Sequence, residues 1–214
     1  MRAKPILVTG FEPFGGERIN PSAEVARALH GRTIGGAPVM GIVLPCVFGA
    51  AIHALRHAID TQRPQLVLAL GQAAGREGFT LERVAINLDD ARIVDNAGAQ
   101  PIDEPVVARG PAAHFTTLPI KAMMAALRDA GHPASVSYSA GTFVCNHVFY
   151  GLQHALKRRR CVRSGFMHLP CLPEQAAPHQ PSLALAAIID GVGIALATAL
   201  AVRDDLVVSA GQLD

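Results

Sequence analysis

The end of a predicted strand is joined to a predicted helix by the segment Ser137-Tyr-Ser-Ala-Gly-Thr-Phe-Val-Cys-Asn-His-Val-Phe-Tyr-Gly-Leu152. The strand covers residues 134–138, and a glycine turn follows it. After the turn, hydrophobic residues recur at every fourth position, which is typical of a helix with one buried side. These residues are Val144, Val148, Leu152 and Leu156. We therefore predict a strand, a tight turn and a helix that ends near Lys157.

The thiol of Cys145 falls in the first turn of this predicted helix. Thr142 is the expected N-cap, because its hydroxyl can accept a hydrogen bond from an N–H group of the first turn. Unpaired N–H groups and the positive end of the helix dipole favour an anion, so we expect a lowered thiol pKa and a reactive thiolate. A single cysteine is also commonly a small buried hydrophobic residue. The nucleophile interpretation therefore requires a base elsewhere in the chain.

The composition limits the class of protein. Half of the 214 residues are hydrophobic, 17% are charged and Trp is absent, which fits a folded α/β enzyme rather than a disordered chain. This length predicts one domain, residues 1–214, with a full hydrophobic core. The formal net charge of +2 gives no reason to expect nucleic acid as a partner.

Cysteine usage and hydropathy predict the cellular location. The four cysteines show no C-x-x-C spacing, and the N-terminus lacks the apolar region of a signal peptide. We therefore expect free thiols in a reducing cytoplasm. Residues 182–202 are apolar, but Asp190 in their middle would be costly in lipid. A long C-terminal helix, packed against the body or in a subunit contact, is predicted instead of a membrane span.

Strands and helices alternate along the chain, which predicts an α/β fold. Hydrophobic runs predict strands at residues 5–9, 39–44, 65–70, 79–88 and 134–138. A further strand is predicted to begin at 164 and to lead into a proline-containing turn that ends at 173. Helices are predicted from Pro21, behind an Asn20 N-cap, and at residues 48–61, 118–130 and 144–157. Residues 99–117 form a long irregular stretch, typical of a functional flap or an interface arm.

Two kinds of ligand site are not predicted. The loop Gly10-Phe-Glu-Pro-Phe-Gly-Gly16 is followed by Glu17, whereas a phosphate-binding loop requires Lys and then Ser or Thr. His53 and His57 have the spacing of a zinc pair, but no third ligand is apparent, so no metal site is predicted.

The same glycine-rich loop presents two aromatic rings, Phe11 and Phe14. Each ring alone could belong to the core. Two rings on one tight loop are better explained as the wall of a small apolar pocket.

Two residues could complete a catalytic set with Cys145. His168 lies in an otherwise apolar strand, and Glu82 lies in register with the apolar face of residues 79–88. A strand histidine is often a core residue, and a carboxylate at a strand end is often an edge residue or a structural ion pair. His147 is two residues from Cys145 on one helix and cannot face it, so His168 is the best base. Thiolate, imidazole and carboxylate are the set that nucleophilic catalysis requires.

Six segments follow one another along the chain. They are Thr9-Gly-Phe-Glu-Pro-Phe-Gly15, Gly71-Gln-Ala-Ala-Gly-Arg76, Glu82-Arg-Val-Ala-Ile-Asn87, Asp90-Ala-Arg-Ile93, Ala140-Gly-Thr-Phe-Val-Cys-Asn-His-Val-Phe-Tyr-Gly151 and His168-Leu-Pro-Cys-Leu-Pro-Glu-Gln175. Together, and in this order, they closely resemble the pyroglutamyl peptidase I family (pyrrolidone-carboxylate peptidases). The resemblance runs from about Pro5 to Gln175. Val94 stands where the family usually has Pro, and no family motif matches after Gln175.

The resemblance implies a cysteine peptidase that removes an N-terminal pyroglutamyl (5-oxoprolyl) residue from peptides through a thioester intermediate. Its catalytic triad would be Glu82, Cys145 and His168. The family further implies a three-layer α/β/α sandwich around a mixed, mostly parallel twisted sheet, a cytoplasmic location and often a homotetramer. It implies no cofactor.

The resemblance also assigns pocket residues by position. Phe11, Phe14 and Phe143 would wall the lactam pocket, the Gln72 loop would offer backbone hydrogen bonds, and Arg92 would lie near the thiol and help to hold the oxyanion. A pyroglutamyl ring carries no charge, so aromatic walls with a few backbone groups suit it. Two other functions stay open: a different cysteine-dependent acyl transferase or amidase, and a non-catalytic protein that retains the pocket.

Overall fold

The computed structural model describes residues 3–159 and 161–211. The strands of this part of the chain are β1 (Ile6–Phe11), β2 (Thr33–Ile34), β3 (Ala37–Leu44), β4 (Leu66–Gln72), β5 (Phe79–Glu82), β6 (Val84–Ile86), β7 (Ala113–Phe115), β8 (Ala134–Ser137) and β9 (Arg163–Leu169). The helices are α1 (Pro21–Leu29), α2 (Ala50–Gln62), α3 (Ile120–Asp129), α4 (Val144–Leu156) and α5 (Leu185–Ala201).

Seven strands form one sheet in the order β2-β3-β1-β4-β9-β5-β8. The four central strands β3, β1, β4 and β9 are parallel. Strand β5 is antiparallel to β9, β8 is parallel to β5, and β2 is antiparallel to β3. The sheet is therefore mixed and mostly parallel, and with helices on both faces it confirms the predicted α/β/α sandwich.

Successive side chains of the central strands enter two different cores, because strand residues alternate between the faces of a sheet. In β1, Ile6 and Val8 pack with α1, α3 and α5, whereas Leu7 packs with α2 and α4. The buried side of α4 includes Val144 and Val148. The helix that carries Cys145 therefore lies on the second face of the sheet.

The predicted single strand at residues 79–88 is wrong, because the chain breaks at Arg83 into β5 and β6. Strand β5 joins the central sheet, whereas β6 pairs with β7 in a separate two-stranded sheet. The Arg83 N–H donates to the Ser137 carbonyl, and the Arg83 carbonyl accepts from the Thr116 N–H. Residues 99–117, predicted to be irregular, supply β7. The hydrophobic alternation continues through the break and so does not reveal it.

The two predicted helix caps have different outcomes. Asn20 caps α1 as predicted, because its side chain accepts a hydrogen bond from the Ser22 N–H. Thr142 does not cap α4, which starts after Phe143 and has no side-chain cap. The Thr142 hydroxyl donates instead to the Asp90 carbonyl.

The predicted C-terminal helix is present as α5. Its side chains Ile188, Val192 and Leu196 are buried in the core that it shares with α1 and α3. Within residues 3–159 and 161–211, no helix combines the length and the hydrophobicity needed to cross a membrane.

Candidate active site

The thiol of Cys145 and the imidazole of His168 lie on the same face of the sheet. His168 in β9 pairs with Gly71 in the neighbouring strand β4. Side chains of paired residues point to the same face, and neighbouring strands are about 4.8 Å apart. A Cβ atom added to Gly71 would lie 2.8 Å from Cys145 Sγ. The sulfur therefore lies over Gly71, one strand away from His168.

Glu82 is fully buried and shares one carboxylate oxygen between two partners. Its Oε1 lies 2.7 Å from His168 Nδ1 and 3.0 Å from a guanidinium nitrogen of Arg76. A neutral imidazole that donates from Nδ1 to a carboxylate has an unprotonated Nε2, which is the nitrogen able to take a proton from the thiol. The second oxygen, Oε2, is buried and has no hydrogen-bond partner among the described residues.

Burial controls the ionisation of both reactive groups. It raises the pKa of the Cys145 thiol strongly, and Cys46 and Glu82 act in the same direction, whereas Arg76 lowers it. Burial also lowers the pKa of His168, although the bond to Glu82 partly offsets this. The expectation of a lowered thiol pKa is therefore wrong, because loss of water outweighs the helix terminus. Both directions favour the uncharged forms, a thiol and a neutral imidazole, over a resting thiolate–imidazolium pair.

Cys145 is the second residue of α4, in the first turn as predicted. Because no side chain caps this helix, its first N–H groups keep the capacity to bind an anion. When the sulfur adds to a carbonyl group, the oxygen of the tetrahedral intermediate would develop its negative charge next to these donors.

Three aromatic rings form a continuous wall beside the start of α4. The Phe14 and Phe143 ring centroids are 5.8 Å apart, and Phe48 contacts Phe143 edge-on at 5.4 Å. Phe11 is 2% exposed and contacts Phe166 in the core. Phe14 and Phe143 are thus brought together at the surface, and Phe11 lies deeper. A place for Phe48 in this wall was not predicted, since the residue stands at the start of the predicted helix 48–61 without any motif of its own.

Gln72, at the end of β4, lies in a network of side-chain amides. Its Nε2 donates to the Cys171 sulfur at 3.3 Å, and its Oε1 accepts from Gln175 Nε2 at 3.4 Å. Gln175 also donates to the Ile19 carbonyl, so the network joins three loops at this edge of the sheet.

Arg92 is exposed on the loop after Asp90. A second cation, Arg76, lowers the pKa of both the thiol and the imidazole. No role was predicted for Arg76, because a single Arg in a loop does not reveal its partner.

His147 belongs to a second buried pair. Its Nδ1 lies 2.7 Å from Asp89 Oδ2, and its Nε2 accepts a hydrogen bond from the Gly49 N–H at 2.8 Å. Both ring nitrogens are therefore occupied away from Cys145, in agreement with the helix geometry that excluded His147 as its base.

Comparisons with known proteins agree with the resemblance. Residues 4–202 match the family model described as "Pyroglutamyl peptidase". A pyrrolidone-carboxylate peptidase of Cupriavidus taiwanensis is 61% identical over 212 residues, which cover 97% of this chain and 98% of the relative. One of Erwinia tasmaniensis is 58% identical over 210 residues, with coverage of 97% and 98%.

Solved structures give the same result. Pyroglutamyl peptidase I of Bacillus amyloliquefaciens superposes with a TM-score of 0.92 at 46% identity, covering 95% of this chain and 100% of that one. Pyrrolidone carboxyl peptidase of Thermococcus litoralis superposes with a TM-score of 0.93 at 38% identity, covering 96% and 99%. Fold, motif order and full-length identity agree, and this chain belongs to the pyroglutamyl peptidase family.

Proposed function

We propose that the protein is a cysteine peptidase that hydrolyses the amide bond after an N-terminal pyroglutamyl residue of peptides. Cys145 is the nucleophile, His168 is the general base and acid, and Glu82 orients the imidazole. The observation that carries the proposal is the common sheet face of the thiol and the imidazole, with a buried carboxylate bound to the far ring nitrogen. Membership of the family supports it.

The reaction starts from the neutral pair. As Cys145 Sγ attacks the carbonyl carbon of the pyroglutamyl residue, its proton passes to His168 Nε2. The sulfur thus becomes a thiolate only during attack, which suits a buried site where a resting charge would be costly. Glu82 stabilises the imidazolium that forms. N–H groups of the first turn of α4 bind the oxyanion, at roughly 3–4 kcal/mol per donor in comparable sites.

The second half of the cycle releases both products. The imidazolium donates its proton to the leaving amine, the carbon–nitrogen bond breaks, and a thioester to Cys145 remains. His168 then takes a proton from water, the hydroxide attacks the thioester carbonyl, and pyroglutamate leaves as the proton returns to the sulfur.

The pocket binds the lactam ring through apolar contact and backbone groups. Phe14 and Phe143 line it and Phe11 closes its base, while the main chain at Gln72 bonds the lactam amide. Arg92 approaches the oxyanion from its exposed loop. The contact between the Phe14 and Phe143 rings supports this arrangement, since an uncharged ring needs an apolar pocket rather than a countercharge.

The chain forms one peptidase domain, residues 1–214, acts in the cytoplasm and assembles as a homotetramer. One sheet with a core on each face supports the single domain, although residues 1–2, 160 and 212–214 lie outside the described ranges. Four free cysteines support a reducing compartment.

The partly exposed Ile189 and Ile194 on α5 support a subunit contact. Sedimentation velocity should give a species of four chains, and a monomer alone would contradict the assembly.

The decisive test uses a fluorophore linked to pyroglutamate through an amide. We expect wild type to release the fluorophore, and Cys145→Ser to reduce release to the uncatalysed background, because the hydroxyl is a poorer nucleophile at this site. The prolyl amide, which lacks the lactam carbonyl and therefore carries a protonated ring amine, is the control substrate and should not be cleaved. Full turnover by Cys145→Ser would overturn the mechanism. Cleavage of both amides would favour a broader amidase.

A further inference from the structure

We propose that Arg76 is a positioning residue of this active site, which holds the Glu82 carboxylate against His168 and links it to the turn before α4. The proposal rests on the proposed peptidase function and adds a residue to it.

The contacts of Arg76 span three segments of the chain. One guanidinium nitrogen lies 3.0 Å from Glu82 Oε1, and the other donates to the Ser139 carbonyl at 3.3 Å. Arg76 itself lies in the loop after β4, Glu82 ends β5, and Ser139 precedes α4. A planar guanidinium can bind two acceptors in fixed directions, which a lysine cannot do. The carboxylate and the turn before the nucleophile helix are therefore held by one rigid group.

The charges around the triad also require a cation. Glu82 is 0% exposed, and among the described residues its hydrogen-bonded charged or titratable neighbours are His168 and Arg76. A buried carboxylate is very unfavourable without a countercharge. With Arg76 present, Glu82 can remain ionised while His168 stays neutral and able to accept a proton. Without Arg76, the carboxylate would take its countercharge from a protonated His168.

Removal of Arg76 should therefore change the pKa values of His168 and Cys145 in a predictable direction. The titratable and charged groups that act on His168 or on the thiol are Glu82 from β5, Arg76 from the loop after β4, Cys145 itself from α4, and Cys46. Arg76 lowers the pKa of both His168 and Cys145. Its loss should raise both values, so the acidic limb of the rate profile and the alkylation profile of the thiol should both move to higher pH.

The experiment compares Arg76→Gln, Arg76→Lys and Arg83→Gln with wild type in the pyroglutamyl amide assay across pH. Arg76→Gln should lower kcat about 10- to 100-fold, the typical cost of losing a group behind a reacting one. KM should stay within about threefold, because the lactam pocket is untouched. Arg76→Lys should recover part of kcat, since lysine restores the positive charge but not the planar guanidinium that binds two acceptors. Arg83→Gln removes the neighbouring cation, which lies over Tyr138, and should change neither kcat nor the profile.

Alkylation of Cys145 by iodoacetamide, followed by mass spectrometry, tests the effect of Arg76 on the thiol without requiring substrate turnover. Arg76→Gln should slow alkylation at neutral pH and move its profile to higher pH, whereas Arg83→Gln should not. Unchanged kcat and unchanged profiles in Arg76→Gln would overturn the proposal. So would a loss of activity with no shift in either profile and no recovery in Arg76→Lys. If wild type failed to cleave the amide, the proposed function would fail, while alkylation would still decide the role of Arg76.

Discussion

At the scale of single residues, Gly71 sets the position of the nucleophile. A Cβ atom there would lie 2.8 Å from Cys145 Sγ and 2.8 Å from Phe166 Cζ. Both distances are shorter than atoms tolerate, so glycine is required by close approach and not by an unusual turn. The sulfur, being the end of a movable side chain, would yield before the buried ring.

We predict that Gly71→Ala displaces the thiol and lowers kcat by at least about 100-fold, because a displacement of about 1 Å of a reacting group has that cost. Unfolding in urea should show a loss of only about 1–3 kcal/mol. Gly165→Ala in β9 is the matched control, since its Cβ would instead meet Thr116 and Leu118. It should cost similar stability while kcat changes little. Equal loss of kcat in both variants would contradict the role of Gly71.

At the scale of elements, α4 combines a hydrophobic side with two buried polar residues near its start. Asn146 is fully buried, accepts a hydrogen bond from the Ile86 N–H, and donates to the carbonyls of Ile86 and Leu88. The next residue, His147, bonds to Asp89. The helix is thus anchored, right beside Cys145, to the end of β6 and to the segment that follows it.

We predict that Asn146→Ala lowers the free energy of unfolding by about 1–3 kcal/mol, because three main-chain groups lose their partner. The kcat should fall as well, since the start of α4 loses its anchor. Urea unfolding and the pyroglutamyl amide assay measure the two effects. Asn96→Ala, which removes one bond to the Pro13 carbonyl from an exposed side chain, should cost clearly less. An Asn146→Ala protein as stable as wild type would show that the anchor is dispensable.

At the scale of the whole molecule, the two cores have separate tasks. The core that α5 shares with α1 and α3 lies on the face opposite to the thiol. Its residues stabilise the sheet without contacting the reacting groups, so changes there should separate stability from activity.

We predict that Leu196→Ala lowers the free energy of unfolding by about 2–5 kcal/mol, the usual cost of truncating a buried Leu. At temperatures where the protein stays folded, kcat and KM should remain within about twofold of wild type. Leu206→Ala, at a position that is 43% exposed, should change stability by less than about 0.5 kcal/mol. A large drop in kcat for Leu196→Ala would show that the two cores are coupled.

The sequence predicted what local patterns encode. Hydrophobic periodicity indicated α4 and the position of Cys145 in its first turn, and the motif order indicated the family. The break at Arg83 was not predictable, because it depends on pairing with distant strands rather than on alternation. The thiol pKa was predicted with the wrong sign, since helix position is visible in a sequence and burial is not. The contact between Arg76 and Glu82 likewise exists only after folding.

Strand β5 enters the sheet against the direction of β9, and this insertion brings Glu82 to a histidine 86 positions away in the chain. A refolding intermediate in which helices α1 to α5 have formed, but in which β5 is not yet paired with β9 at this seam, would contain every reactive side chain and yet be inert. Such distant pairings form late, because closing a long loop costs entropy before any contact repays it. Regain of turnover after dilution from denaturant should accordingly lag behind the far-ultraviolet dichroism, and turnover would report closure of that seam.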